Sequence, residues 1–399
     1  MSKIDSCDWL IGLNLLNCPM FFKDIPGQQA VKERLINSVK EARISHAQLF
    51  LGPEGSGSLA LALAYAQYIS CLDKQADDSC GKCSACTKYQ KLIHPDLHFS
   101  YPFISKGSAE TAVSYIKEWR KAIAENPFMG IAQWMEYLDA ENKQPNINIA
   151  ECHAIIQKLI LKSFEAEYKI ILIWLPEYLG AAGNALLKLI EEPPAKTLFI
   201  LIAENYDQIL STILSRTQLI KIPKLSDDVL KTYLIENGCP QEKAGRVAYL
   251  ANGNISAAQQ LLAEDDDDLE SLFIQWFRLC YARKGIEVND WIDQVANARF
   301  GRENQKNLIR FGLQVIRDCL MVNLENNSIV KFESKHFELS KLAGAINFEN
   351  APLLIKDFEK AVYHIERNAN PKIMFLDLSI QMMRNLQLKN VNSQLTINE

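Results

Sequence analysis

The sequence predicts an α/β P-loop domain, with a parallel sheet and flanking helices, followed by a helical lid and an all-α domain. Two observations support this prediction. Three apolar runs, at 47–51, 169–174 and 197–203, are separated by helical patterns, and such alternation is typical of a helix-covered parallel sheet. After Pro223 no further strand pattern occurs, so the second half is predicted to be helical.

Composition limits the class of protein. The chain has 399 residues, of which 48% are hydrophobic and 23% are charged, as in soluble proteins with two or three domains. No apolar run reaches eighteen residues, and the first residues lack the basic start and apolar core of a secretory signal. The net charge of −5 argues against a protein that coats nucleic acid by itself. We therefore expect a cytoplasmic protein with no membrane contact.

The first elements lead into a glycine-rich loop. Residues 30–42 have the apolar spacing of a helix, and residues 47–51 that of a buried strand. A glycine-rich turn at 52–58 follows, and then a helix rich in alanine and leucine at 59–69. Strand, glycine loop and helix form the unit in which phosphates bind at a helix N-terminus.

The loop has the glycine spacing of a Walker A motif but lacks its functional side chains. The lysine that contacts the phosphates and the hydroxyl residue that holds Mg²⁺ are replaced by Ser58 and Leu59. Losing one charge-assisted contact costs about 1.5–3 kcal/mol. We expect weak or no ATP binding, and a glycine turn without any ligand remains an alternative. The degenerate site would comprise Gly52, Gly55, Gly57 and Ser58.

The strand at 169–174 also lacks an expected feature. In a working P-loop ATPase this strand ends in an acidic pair, which serves the metal ion and the attacking water. Here it ends in Trp174 and Leu175, and the first acid is Glu177. Glu177 would substitute only if the strand ended several residues later.

Four cysteines give the most specific chemical signal. Their spacing is C-x8-C-x2-C-x2-C, and the residues are Cys71, Cys80, Cys83 and Cys86. Four thiolates complete a tetrahedral zinc site, which is structural because no position stays open for water. Free thiols are the alternative. The nearby segment His94-Pro95-Asp96 is predicted to form a turn and to add no ligand.

The remaining segments are less specific. A helix is predicted at 180–192, ended by Pro193-Pro194. Arg216 follows an apolar pair and is compatible with an ordinary surface arginine. The acidic run 264–268 is interpreted as a solvated linker. From Leu269 the pattern is helical to about Lys389, and the tail 390–399 is predicted to be frayed.

Together these segments resemble the clamp-loader subunits of bacterial DNA polymerase III, which are AAA+ proteins. The resemblance is carried by Ser45–Gly52, the loop to Ser58, the four cysteines, Ile93–Asp96, Asn184–Pro194 and Ile213–Arg216. It implies an AAA+ domain at 20–223 with a zinc module at 71–86, a lid at 224–263, the acidic linker at 264–268 and a collar domain at 269–399. Residues 1–19 are interpreted as an N-terminal extension or a misplaced start.

Within that family the chain is similar to the delta prime type of subunit, which generally does not hydrolyse ATP. The motor subunits, gamma and tau, keep the Walker A lysine and the acidic strand end. Here the sensor threonine position reads Ala203-Glu204, and Gly253–Ser256, where a lid arginine would fall, contains none. The resemblance implies a stator that helps to load the sliding clamp onto primed DNA, with gamma or tau and delta subunits as partners. Contact with the clamp and the primer-template DNA would come through the complex.

One catalytic feature of the family is retained. Its members carry a Ser-Arg-Cys motif whose arginine points into the ATP site of a neighbouring subunit, and this chain has Ser215, Arg216 and Thr217. The resemblance therefore implies that Arg216 is an arginine finger in trans. Threonine in place of cysteine is expected to alter the packing of the loop, whereas the positive charge of Arg216 is retained.

Two other functions are considered. An active ATPase of the gamma or tau type is the main alternative, and Ser58 and Trp174 argue against it. A zinc-dependent DNA-binding module is the second, and it would use Lys82, Lys88 and Lys91. These lysines are few and the chain is acidic, which disfavours that function.

Overall fold

The computed structural model of the chain describes residues 21–105, 107, 109–140, 143–263, 266–297, 300–324, 339–367 and 369–388. The chain divides into two compact units, one comprising Met1–Ala244 with Asn252–Ser256 and the other Gly245–Ala251 with Ala257–Glu399. The predicted extension 1–19 and tail 390–399 lie outside the described residues, as do residues 264 and 265 of the acidic run. The rest of that run belongs to a helix that begins at Asp266.

A five-stranded parallel sheet forms the centre of the first unit. Its strands are β1 (Ala47–Leu51), β2 (Leu97–Ser100), β3 (Lys169–Trp174), β4 (Thr197–Ala203) and β5 (Gln218–Lys221). They lie in the order β2-β3-β4-β1-β5, and all neighbours pair in parallel. The predicted parallel sheet is confirmed, and the three strands predicted from apolar runs are its three central strands.

The two edge strands were not predicted. β2 and β5 have four residues each and contain polar side chains, so neither forms an apolar run. In β5 the side chains of Gln218 and Lys221 are exposed and Ile220 is buried. Such strands at the edge of a sheet are covered less than central ones, so a search for continuous apolar segments misses them.

Helices surround the sheet of the first unit. They are α1 (Gln29–Lys40), α2 (Ser58–Ser70), α3 (Ser84–Gln90), α4 (Ile116–Glu125), α5 (Ile131–Tyr137), α6 (Ile149–Ile160), α7 (Leu187–Glu191), α8 (Ser211–Leu214) and α9 (Asp227–Glu236). Short 3-10 helices lie at Phe22–Asp24, Ala112–Tyr115, Pro176–Leu186 and Tyr206–Gln208. α2 is buried along almost its whole length and packs against β1, β3 and β4.

The helix predicted at 180–192 has a different form. Residues Pro176–Leu186 form 3-10 turns that are interrupted at Gly180, where φ is +48° and ψ is −142°. Only Leu187–Glu191, α7, is α-helical. Gly180 and Gly183 lower the helix propensity of the first half, and Pro193 ends the second. The apolar side chains still face the core, where Leu179, Leu186 and Ile190 are buried.

The second unit contains only helices among its described residues, as predicted. Its helices are α10 (Gln241–Ala251), α11 (Ile255–Ala263), α12 (Asp266–Tyr281), α13 (Gly285–Val295), α14 (Gly301–Asn323), α15 (Leu339–Ala343), α16 (Ala351–Glu366) and α17 (Pro371–Asn385), of which the first two begin in the first unit. The core centres on Trp276, which stacks on Trp291 with 4.7 Å between ring centroids and donates a hydrogen bond to Ser379. Among the described residues, no helix has both the length and the apolar character to cross a membrane.

The predicted turn at His94–Asp96 is confirmed, and Asp96 stabilises it. The backbone N–H of Leu97 donates to the His94 carbonyl at 3.1 Å. The buried Asp96 carboxylate accepts hydrogen bonds from three consecutive backbone N–H groups, those of Phe164, Glu165 and Ala166, at 2.6–2.8 Å. Burial alone would raise the pKa of Asp96, but these donors outweigh it and hold the pKa below its usual range.

Replacing Asp96 by alanine is expected to lower the free energy of unfolding by about 3 kcal/mol or more, because three charge-assisted hydrogen bonds are lost. Since the folded-state pKa is lowered, the carboxylate stabilises the fold above about pH 4 and this contribution is lost as the pH falls through the lowered value. Denaturant unfolding of the wild type and Asp96→Asn at several pH values checks both points. A difference between the two that stays constant down to pH 2 would contradict the assignment.

Candidate functional site

The glycine-rich loop has the position and backbone of a phosphate-binding loop. It connects β1 to α2 at the carboxyl end of the sheet. Gly55 and Gly57 have φ values of +69° and +92°, which suit glycine. The Gly52 N–H donates to the Ala203 carbonyl at 3.1 Å, so the loop lies beside the end of β4. The structure thus places Gly52, Gly55, Gly57 and Ser58 in one loop between β1 and α2.

A second segment of the same unit covers this loop. The backbone N–H of Ile255 donates to the Gly55 carbonyl at 3.1 Å. A Cβ placed on Gly55 would lie 1.8 Å from Asn254 Oδ1, so the Asn254 side chain is packed directly on the loop. Gly253 allows this approach, because its φ is +82° and a Cβ there would lie 2.3 Å from the Leu225 carbonyl oxygen. Gly253, Asn254 and Ile255 belong to the segment 253–256, in which no lid arginine occurs.

The space left beside the loop is small. Its pocket has a volume of about 20 Å³, which holds about one water molecule. The walls include Phe128, Met129 and Trp174. Ser58 Oγ lies 3.0 Å from Ser56 Oγ, and Leu59 is only 4% exposed. Neither position therefore carries a cationic side chain, and the Ser58 hydroxyl is hydrogen-bonded to Ser56.

The end of β3 is filled by aromatic rings. The strand ends at Trp174 as predicted, and the Trp174 side chain is buried with 5.2 Å between its ring centroid and that of Trp119. Trp119 in turn stacks on Tyr101 and meets Trp134 edge-on. This hydrophobic cluster stands where an ATPase has its metal-binding acids.

Glu177 does not replace those acids. Its Oε1 accepts hydrogen bonds from the backbone N–H groups of Glu204 and Asn205, at 2.6 and 2.8 Å. Burial raises the pKa of Glu177, although these backbone donors oppose the shift. The carboxylate therefore holds the turn after β4 and is structural.

The four predicted zinc ligands converge on one point. The Sγ atoms of Cys71, Cys80, Cys83 and Cys86 all lie within 4.8 Å of one another. Zn–S bonds of about 2.3 Å in a tetrahedron require S–S separations of about 3.8 Å, and the Cys80 and Cys86 sulfurs are 4.0 Å apart. The ligand set therefore fits a structural zinc ion.

Backbone N–H groups surround the sulfur atoms of the cluster. The N–H groups of Cys80, Cys83 and Cys86 each point to the sulfur of the preceding cysteine in the set, at 3.3–3.4 Å. Burial opposes ionisation of Cys83, yet backbone donors, above all the Cys86 N–H, and the neighbouring thiols lower its pKa to about 6. Burial raises the pKa of Cys71 and Cys86. His94 contributes no ligand, since its Nε2 lies 3.2 Å from Glu165. Lys88 also pairs with Glu165, at 2.5 Å, so that part of the charge around the cysteines is neutralised.

Arg216 lies at the other end of the sheet from the phosphate loop. It precedes β5 by two residues, whereas Ile222, the residue after β5, bonds to Leu51 next to the loop. The intervening residues span about 20 Å at the rise of a strand. The Arg216 side chain is 32% exposed, and Ser215 beside it is exposed. The two ends of this strand pair therefore carry an arginine and a glycine loop that cannot meet within one chain.

Sequence reasoning missed two residues of this site. Asn254 was considered only as part of Gly253–Ser256, where a lid arginine is absent, because its contact with Gly55 spans about two hundred residues and has no local signature. Glu191 lies in the quoted segment 184–194, and its carboxylate receives a hydrogen bond from Arg216 at 2.8 Å. Two adjacent glutamates occur there, and their spacing alone does not identify the one that reaches the arginine.

A parallel sheet with a glycine loop after strand β1, in a chain whose second half is helical, is the architecture of an AAA+ protein of the clamp-loader type. Residues 27–226 match the family described as DNA polymerase III, delta subunit. The chain belongs to this family.

Known proteins that resemble the chain have related names. DNA polymerase III subunit delta prime of Bacillus subtilis (strain 168) is 26% identical over 75% of this chain and 79% of its own length. The Escherichia coli (strain K12) subunit delta prime is 27% identical over 66% of this chain and 67% of its own length. The Bacillus subtilis subunit tau is 27% identical over 53% of this chain but only 31% of its own length.

Proposed function

We propose that this chain is the stator, or delta prime, subunit of the DNA polymerase III clamp loader, and that Arg216 completes the ATP site of a neighbouring gamma or tau ATPase subunit. In this role it helps to load the sliding clamp onto primed DNA and does not hydrolyse ATP. The observation that carries the proposal is the position of Arg216, partly exposed at the end of the sheet opposite its own phosphate loop. An arginine there can act only on a nucleotide held by another chain.

The state of the loop supports the second part of the proposal. Asn254 and Ile255 cover Gly55, aromatic rings occupy the end of β3, and the remaining pocket holds about one water molecule. A nucleoside triphosphate with its Mg²⁺ needs more room, together with the Walker A lysine and the acidic pair at the end of β3 that this chain does not have. The loop therefore keeps a structural function as the connection between β1 and α2.

The names of the relatives support the choice of partner subunits. Proteins named delta prime, gamma and tau align with this chain. We propose that gamma or tau and delta subunits are its direct partners, and that the clamp and primer-template DNA are reached through the complex. Co-purification with those subunits, followed by ATPase assays of the complex with and without this chain, tests the assignment. A complex that assembles and hydrolyses ATP equally well without the chain would refute it.

Restoring both Walker A side chains, Ser58→Lys with Leu59→Thr, is expected to leave the isolated chain without ATP hydrolysis. The two substitutions supply a cation and a hydroxyl, but the cover over Gly55 and the ring of Trp174 remain. Steady-state phosphate release by the variant checks this, and its circular dichroism spectrum shows whether it is folded. Hydrolysis by the wild-type chain that disappears when Gly57 is replaced would instead favour an active ATPase of the gamma or tau type.

A further inference from the structure

The guanidinium group of Arg216 is held at two of its three nitrogens. Nε donates to Glu191 Oε2 at 2.8 Å. Nη1 donates to the Thr212 carbonyl at 3.0 Å and lies 3.2 Å from Ser215 Oγ. The described residues provide no hydrogen-bond acceptor for Nη2. Among the described residues, the side chain therefore has one donor nitrogen that is not engaged by its own fold.

These contacts come from two short helices. Glu191 is the last residue of α7, and Pro193-Pro194 prevents the helix from continuing. Thr212 lies in α8, which packs against α7. The carbonyl end of a helix disfavours a carboxylate and favours a cation, so the guanidinium offsets an unfavourable charge at Glu191. The position of Glu191 beside Arg216 thus follows from the point at which α7 ends.

The Glu191–Arg216 pair is too exposed to contribute much to folding. The Glu191 side chain is 57% exposed, and exposed ion pairs contribute about 0.2–1 kcal/mol. The pair has a larger effect on the orientation of the Arg216 side chain, because a hydrogen bond to Nε fixes the plane of the guanidinium group. A catalytic side chain that is already oriented loses less conformational freedom when it meets its target.

We infer that Glu191 is a positioning residue for Arg216: it holds Nε so that Nη2 faces the phosphate of a nucleotide on the neighbouring subunit. This inference rests on the proposed function, because it assigns a role within the same composite site. Glu191 itself does not touch the nucleotide, since its carboxylate would repel the phosphate. It acts through the orientation of the arginine alone.

The test uses the assembled clamp loader and measures its DNA-stimulated ATPase as kcat and KM for ATP. Glu191→Ala is expected to lower kcat at the composite site, by up to about 10²-fold, the effect of a misplacement of about 1 Å. KM should change little, because the arginine acts on the transition state. Glu191→Gln keeps an acceptor oxygen and should restore most of kcat. The control is Glu192→Ala, an exposed neighbouring glutamate that has no hydrogen bond to Arg216 among the described contacts.

A double substitution separates this inference from the proposed function. In a complex that already carries Arg216→Ala, Glu191→Ala should cause no further loss. A full loss with Arg216→Ala and none with Glu191→Ala would overturn the inference and leave the proposed function intact. An increase with Glu191→Ala would mean that the glutamate competes with the phosphate, and would also overturn it. No loss with Arg216→Ala would overturn both.

Discussion

Under the proposed function, replacing Arg216 by alanine is expected to slow ATP hydrolysis at the neighbouring subunit's site by about 10³-fold or more. Negative charge accumulates on the transferring phosphate in the transition state, and the guanidinium stabilises it with both charge and hydrogen bonds. In a single-turnover experiment with the assembled clamp loader, the ATP bound at that one site should be hydrolysed in a separate slow phase. The steady-state rate should fall as well, with the subunits still eluting as one complex.

Two further variants make this result specific. Arg43, which is exposed and precedes β1, lies at the same end of the sheet, so Arg43→Ala should leave hydrolysis unchanged. Arg216→Lys should recover only part of the rate, because an ammonium group lacks the planar fork of the guanidinium. Equal single-turnover amplitudes and rates for the wild type and Arg216→Ala would rule out the finger.

Replacing Cys86 by serine is expected to abolish zinc binding and to unfold the segment from Cys71 to Lys91. Cys86 is fully buried at the centre of the cluster, and three remaining thiols cannot close the tetrahedron. Structural zinc contributes about 10–16 kcal/mol in small peptides. Within this larger unit we expect part of that value to appear as a lower melting temperature and as rapid proteolysis of the segment.

A second buried cysteine provides the control. Cys152 is fully buried in the core beside the sheet and is not part of the cluster. Cys152→Ala should lower stability through lost packing and retain a full complement of zinc. Metal analysis of wild-type protein purified without chelator should give about one zinc per chain. A content near zero would refute the four-cysteine site, whatever the variants do.

The parts of the site that the sequence predicted depend on short-range patterns. Cys80, Cys83 and Cys86 lie within one turn and the start of α3, so their spacing alone brings them together. The loss of the acidic pair is visible at Trp174 because the apolar strand before it is unambiguous. The glycines at 55 and 57 likewise signal their left-handed backbone directly.

The parts that could not be predicted depend on distant contacts. Asn254 covers Gly55 only because Gly253 passes close to Leu225, a contact between residues far apart in the sequence. Glu191 meets Arg216 only because Gly180 interrupts the preceding turns and α7 is short. Helical periodicity predicted one continuous helix at 180–192, whereas only Leu187–Glu191 is α-helical. The position of the Glu191 side chain depends on where that helix begins, which the periodicity does not show.

Because β1 and β5 pair in parallel, the two ends of this strand pair carry different functional groups. A glycine loop follows one strand, and an arginine precedes the other. In the proposed clamp-loader assembly, subunits would join head to tail, so that each joint combines the loop of one chain with the arginine of the next. Under the proposed function, this chain contributes to a productive joint on one side only, so it terminates the row of active sites. The number of active sites then equals the number of motor subunits, and removing this chain leaves one motor without its arginine.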